Sequence, residues 1–190
     1  MAAKYYYLAL LRGINVGGNN IIKMVALKAC FENAGFGDVV TYIQSGNVIF
    51  SSSEKSGKFL EERIEKALMK DFNLSLRLVV IPFNVLQKVV AEAPKGFGKK
   101  PDEYRYDVLF LKKPLTPQNT LKVVEIREGV DFVAAGKHAV YFYRLIKEVT
   151  HSKISKIIQK PEYKFITIRN WNTTTKLLAL MEKFLTIKDL

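Results

Sequence analysis

Apolar and polar positions along the chain fall into two successive blocks of the same form. The first opens on residues 4–12, where Tyr5, Tyr7, Ala9 and Leu11 alternate with Tyr6, Leu8 and Leu10. Both alternating sets are apolar or aromatic, which predicts a strand covered on both faces. A loop rich in glycine and asparagine follows. Leu27, Cys30, Phe31 and Ala34 then recur at helical spacing, and Gly35 and Gly37 end that helix. Residues 39–44 and 47–51, separated by Ser45-Gly46, predict a tight hairpin. Residues 55–71 read as a second helix with Leu60, Ile64, Ala67 and Leu68 on one face. Residues 76–81 read as a strand, and 84–93 as a short helix after Pro82.

The second block repeats this order. Residues 106–111 predict a strand, and 116–125 a helix with Pro117 suited to its first turn. Residues 132–135 and 139–143 predict a hairpin about Gly136-Lys137. Residues 151–160 predict an α-helix with Ile154, Ile157 and Ile158 inward, ended by Pro161; a strand at 165–169 and a closing helix at 173–184 follow. Each block is therefore β-α-β-β-α-β with one trailing helix. That order predicts an α+β fold of two tandem ferredoxin-like (split βαβ) domains. Their expected bounds are residues 1–95 and 103–190, with a glycine-, proline- and lysine-rich linker at 96–102. The open sheet faces are then covered either by the sister domain or by a ligand.

Composition changes this picture in one respect only. Of 190 residues, 48% are hydrophobic and 25% charged, as in ordinary globular proteins, but the net charge is +12. Residues 1–96 carry +4 of it and residues 97–190 carry +8. The excess points to an anionic partner. One cysteine, Cys30, excludes an intrachain disulfide and a thiolate metal cage, and helical spacing places it in a core. His138 and His151 have no ligand spacing, so neither a metal nor a cofactor is expected. No apolar run reaches membrane-spanning length, and the tyrosine-rich start lacks a cleavage site, so the expected setting is cytoplasmic with no membrane partner.

Aromatic strands in such a fold invite comparison with sheets that stack RNA bases, through Tyr5, Tyr7, Tyr106, Tyr141, Phe142 and Tyr143. Neither third strand carries the basic-Gly-aromatic-Gly opening of that signature. The fragment that resembles it, Lys95-Gly96-Phe97-Gly98, falls in the expected linker, with no sheet to display it.

Three motifs hold the candidate chemistry. Leu11-Arg12-Gly13-Ile14-Asn15-Val16-Gly17-Gly18 follows a strand and leads toward a helix, where backbone N–H groups can cradle an anion. It matches no standard nucleotide loop. The others are Tyr42-Ile43-Gln44-Ser45-Gly46-Asn47-Val48, and Arg169-Asn170-Trp171-Asn172-Thr173 with Lys176-Leu177. In this order and over nearly the whole chain they closely resemble the bacterial family catalogued as domain of unknown function 1697. The family's Ser-Lys element corresponds to Ser152-Lys153, here preceded by Lys147-Glu148-Val149-Thr150-His151 in place of a glycine-containing approach. The resemblance implies two ferredoxin-like domains and no assigned activity.

Arg12, Asn15, Gly17, Gly18, Gln44, Ser45, Asn47, Ser152, Lys153, Arg169, Asn170, Trp171 and Lys176 are the candidate ligand-binding residues. They offer positive charge and donors, with no carboxylate in the motifs to act as general base, which suits anion binding more than acid–base work. Gly46-Asn47 equally suits a hairpin, and Asn170 or Asn172 a helix cap. With the first and third strands taken as parallel, the 12–20 loop lies at the opposite sheet end from the 44–47 hairpin. Ser152-Lys153 is likewise placed opposite residues 169–171, so the motifs can meet only across the domain interface. The expected function is binding of a phosphorylated or other anionic ligand, a nucleotide or nucleic acid included, at an interdomain cleft. The alternatives are an enzyme acting on a phosphate-containing substrate and a protein-interaction scaffold.

Overall fold

The computed structural model describes residues 4–188, with side chains through residue 186. One antiparallel sheet contains β1 (Tyr5–Leu11), β2 (Gly37–Tyr42), β3 (Asn47–Ser52) and β4 (Leu78–Pro82), in the order β2-β3-β1-β4. A second contains β5 (Tyr104–Leu111), β6 (Asp131–Ala135), β7 (Ala139–Leu145) and β8 (Ile166–Asn170), in the order β6-β7-β5-β8. The helices are α1 (Met24–Asn33), α2 (Gly57–Phe72), α3 (Phe83–Ala91), α4 (Pro117–Val123) and α5 (Trp171–Lys188). The fold is mixed α+β. The chain divides into two compact units, Met1–Leu86 with Met181–Leu190, and Gln87–Leu180.

In the first unit the helix-side face of the sheet, Tyr7, Ala9, Leu11, Val48, Phe50, Leu78 and Val80, meets Leu27, Cys30 and Phe31 of α1 and Leu60, Ile64 and Leu68 of α2. Each fully buried leucine or isoleucine contributes about 1.5–3 kcal/mol. The other face of β1 is buried too, as its double apolar pattern anticipates: Leu8 and Leu10 are inaccessible. Ser56 caps α2, its hydroxyl accepting from Phe59 N at 3.4 Å. From α2 the buried Glu61 carboxylate accepts the Val80 amide of β4 at 3.1 Å. At the other edge, β2 bulges between Gly37 and Val40. There Asp38 Oδ2 accepts from Ser51 Oγ at 2.8 Å and from Tyr6 OH at 3.2 Å.

In the second unit Leu109, Val140, Phe142, Ile157 and Ile166 form the helix-side core. The expected α-helix over residues 151–160 is not formed. Three 3-10 segments, Ile146–His151, Ile154–Gln159 and Pro161–Phe165, replace it. Extended backbone at Ser152 and Lys160 leaves too few consecutive residues to repay helix nucleation, and three isoleucines disfavour it further. The period of three also corrects the inward set. Ile154 and Ile157 share the core face, whereas Ile158 is rotated into solvent.

The opposite face of this sheet is aromatic and covered from within the unit. Phe97, in the segment read as a linker, is buried against Tyr106, Tyr141 and Trp171, with ring centroids 4.9, 5.3 and 5.1 Å away. Tyr141 OH donates to Val89 O at 2.6 Å. The fragment Lys95-Gly96-Phe97-Gly98 therefore does lie on a sheet, but as its cover.

Strand direction overturns the expected placement of the motifs. β1 is antiparallel to both β3 and β4, and β3 is antiparallel to β2, so β1 and β2 run the same way. The helix crossover from β1 to β2 requires this, because it returns the chain to the end where β1 began. The loop after β1 and the β2–β3 turn thus share one sheet end. By the same rule, the ends of β7 and β8 share one end of the second sheet.

Candidate functional site

In the first unit the two motifs meet and bond to each other. Asn15, at φ +53°, donates from Nδ2 to Ile22 O at 3.0 Å and to Gln44 O at 2.9 Å, while its Oδ1 accepts from Ile22 N at 2.8 Å. Its amide is thus fully engaged in holding the loop shut against the hairpin. Asn19 N donates to Val16 O at 3.0 Å across Gly17 and Gly18, both at positive φ. Two such residues in a row make a type I′ turn, which only glycine and asparagine enter readily. Asn47 is buried and donates to Tyr42 O at 3.1 Å and to Ser45 Oγ at 2.9 Å. Leu11 N donates to Gly46 O at 2.8 Å, and the half-buried Arg12 bonds through its amide to Arg77 O at 3.1 Å. Asn15, Gly17, Gly18, Gln44, Ser45 and Asn47 therefore build one paired-turn structure.

In the second unit Asn170 and Trp171 line a cavity of about 280 Å³ at the β8–α5 junction. Tyr104, Arg105 and Tyr106 of β5 line it as well, with Pro101, Ile146, Val149 and Asn172. Asn170 caps α5: its Oδ1 accepts from Asn172 N at 2.9 Å, and its Nδ2 donates to Tyr106 O at 3.1 Å. Gly98, at φ +79°, leaves room for the Trp171 indole, which a methyl group there would overlap. Arg169 is buried and donates from Nη1 to Ile168 O at 2.9 Å. Burial brings its guanidinium down to about 10. Ser152 and Lys153 are outside the cavity lining. Lys153 N is fixed by Asp131 Oδ2 at 2.8 Å, and Lys176 is exposed on α5 five residues beyond Trp171.

Three charged residues absent from the motifs sit on the helix side of this sheet. Arg144 Nη1 donates to Asp107 Oδ2 at 2.9 Å, with both side chains buried. Burial raises the Asp107 carboxyl above its usual value, and the attraction of Arg144 and then Arg105 offsets this only in part. Asp131 is the cross-strand neighbour of Arg144. Asp131 Oδ1 and Arg144 Nε are buried without a protein partner. In sequence these residues interrupt apolar strands at single positions, and that was the available signal. Their alternation with the tyrosines places all three on the core face.

Base stacking on Tyr106 and Tyr141 is blocked, because Phe97 covers both and both are buried. Among the described residues no cluster of three or more His, Cys, Asp or Glu side chains could hold a metal ion, and no helix is long and apolar enough to cross a membrane.

No curated protein matches the chain. A conserved bacterial protein of Streptococcus pneumoniae, SP0830, has a similar solved structure, with a TM-score of 0.80 and 26% identity over 93% of this chain and 98% of that one. The family model described as protein of unknown function (DUF1697) matches residues 5–141. Since that match runs from the start of β1 into β7, over more than half of the chain, the chain belongs to the DUF1697 family.

Proposed function

We propose that both units are ferredoxin-like modules and that the second binds a small ligand combining an aromatic ring with an anionic group, of the nucleoside monophosphate class. The strand orders and the antiparallel pairing support the first part. The cavity carries the second. Tyr104, Tyr106 and Trp171 supply aromatic wall, and the exposed Arg105 and Asn172 complete its lining, Arg105 from the Asp107 side of β5. A volume of about 280 Å³ lies just under the ~300–1,000 Å³ of drug-sized ligand sites, which suits a mononucleotide better than a dinucleotide. This reading moves anion binding from an interdomain cleft to one unit, and the size of the cavity favours a small soluble ligand over RNA.

Trp171 is the sole tryptophan, so intrinsic fluorescence reports directly on the cavity. Titration with adenosine 5′-monophosphate is expected to change that emission. Adenosine and inorganic phosphate should each bind more weakly, and Arg105→Ala should weaken the nucleotide at least about tenfold, or ~1.4 kcal/mol. No emission change and no thermal shift at millimolar nucleotide, or equal binding by Arg105→Ala, would rule the reading out.

A further inference from the structure

The cavity of the second unit is lined by two carboxamides, Asn170 and Asn172, and they are placed in opposite ways. The Asn170 amide is engaged at both ends, accepting from Asn172 N at 2.9 Å and donating to Tyr106 O at 3.1 Å. At Asn172 it is the backbone that is engaged: its N–H donates to Asn170 Oδ1, and its carbonyl accepts from Thr175 Oγ1 at 3.2 Å. The Asn172 side chain is exposed and makes no hydrogen bond among the described residues. A carboxamide carries an acceptor oxygen and a donor nitrogen side by side in one plane. On a backbone pinned from both sides, little ordering opposes its use in binding.

The other lining groups cannot offer that pair. Tyr104 ends in a single hydroxyl, and Tyr106 OH already accepts from Lys100 N at 3.3 Å. Arg105 donates only, and among the described residues no carboxylate lines the cavity. Ile146 and Val149, 43% and 41% exposed, add apolar surface against which a flat ring can pack.

We propose, resting on the nucleotide reading above, that Asn172 reads the ring of the ligand. Its carboxamide pairs in plane with a heterocycle edge bearing adjacent donor and acceptor, as the 6-amino group and N1 of adenine do. A carbocyclic aromatic phosphate has no such edge, so the site selects nucleotides among ring phosphates.

The test follows Trp171 emission in the full chain with adenosine 5′-monophosphate and with purine riboside 5′-monophosphate, which lacks only the 6-amino group. The parent is expected to prefer the adenosine nucleotide about three- to tenfold, the worth of one neutral hydrogen bond. Asn172→Ala should bind the two equally. Asn172→Asp replaces the amide's donor with a second acceptor, which suits the N1–H and 2-amino donors of guanine. Its ratio of guanosine to adenosine monophosphate affinity should therefore rise at least about tenfold over the parent's. The added negative charge acts on both phosphates alike and cancels in that ratio. Both substitutions fall on an exposed side chain, and an unchanged unfolding midpoint would confirm folded variants. The inference is overturned if the parent binds adenosine and purine riboside monophosphates equally, if Asn172→Ala keeps the preference, or if Asn172→Asp leaves the ratio unchanged. Should Arg105→Ala still weaken the nucleotide in those cases, the ligand reading stands and only base recognition by Asn172 falls. Absence of any nucleotide binding removes both.

Discussion

Replacing Arg144 by Met tests whether the second sheet tolerates an unpaired buried carboxylate. The parent pair has one charge-assisted bond of 2.9 Å between side chains 10% and 9% exposed. Removing one member of such a pair typically costs about 3–5 kcal/mol, because the remaining charge keeps its desolvation penalty. At about 2–4 °C per kcal/mol for a chain of this length, the midpoint should fall by roughly 6–20 °C at pH 7. Asp107 limits the loss by taking up a proton, each unit between its folded pKa and the solution pH being worth about 1.36 kcal/mol. The deficit should therefore shrink as pH falls.

The sign for the parent follows from the same shift. The folded pKa of Asp107 lies above its unfolded value near 3.8, so the native state holds the proton more tightly. Its contribution is most favourable below that value and declines as pH rises through the folded pKa. Asp107→Leu combined with Arg144→Met removes both charges and should return stability to within about 1 kcal/mol of the parent, or above it. Urea unfolding at pH 7 and near pH 4 measures all of this. A loss below about 1 kcal/mol in Arg144→Met at pH 7, or a double variant as unstable as the single one, would refute the reasoning.

Asn15→Ala removes three hydrogen bonds and places alanine at positive φ, so a loss of about 1–3 kcal/mol is expected by chemical unfolding. Asn15→Gly should recover only the backbone part. Glu61→Ala should cost about 1–3 kcal/mol and accelerate hydrogen exchange at the Val80 amide, while unchanged protection there would contradict the bond. Cys30 is buried, with its thiol pushed up to about 12 by burial and then by Asp71. It should resist Ellman's reagent at pH 8 until the chain unfolds, and rapid native labelling would contradict its placement.

Strands and long helices were legible because each carried its own period and its own stop. Leu60, Ile64 and Leu68 mark the buried face of α2, and Pro117 marks the start of α4. The 146–165 stretch misled because a run of three isoleucines fits a helical face and a 3-10 turn alike over so few residues. Which motifs meet was misjudged through strand direction, a property of topology that no local spacing records. In the candidate site, Asn170 and Trp171 were read from their motif, and the helix-cap alternative for Asn170 is what its side chain performs. Arg105 and Asp107 were missed because lone charges in a strand carry no motif. Asn15 and Asn47 looked like ligand donors until their partners proved to be backbone carbonyls and a neighbouring hydroxyl.

The contact between Glu61 and Val80 has a consequence for how the first unit can be recognised. Outward positions on β4 alternate as Leu78, Val80 and Pro82, since the intervening residues face β1's hydrogen bonds. Val80's amide is already taken by a carboxylate, and Pro82 has none to give. At the opposite edge, the bulge at Asp38 breaks the regular spacing of β2. An extended peptide seeking to prolong this sheet meets one usable donor at one edge and a broken ladder at the other. Strand-by-strand aggregation and β-augmentation are disfavoured together, so another molecule can engage this unit through its side chains but not by prolonging its sheet.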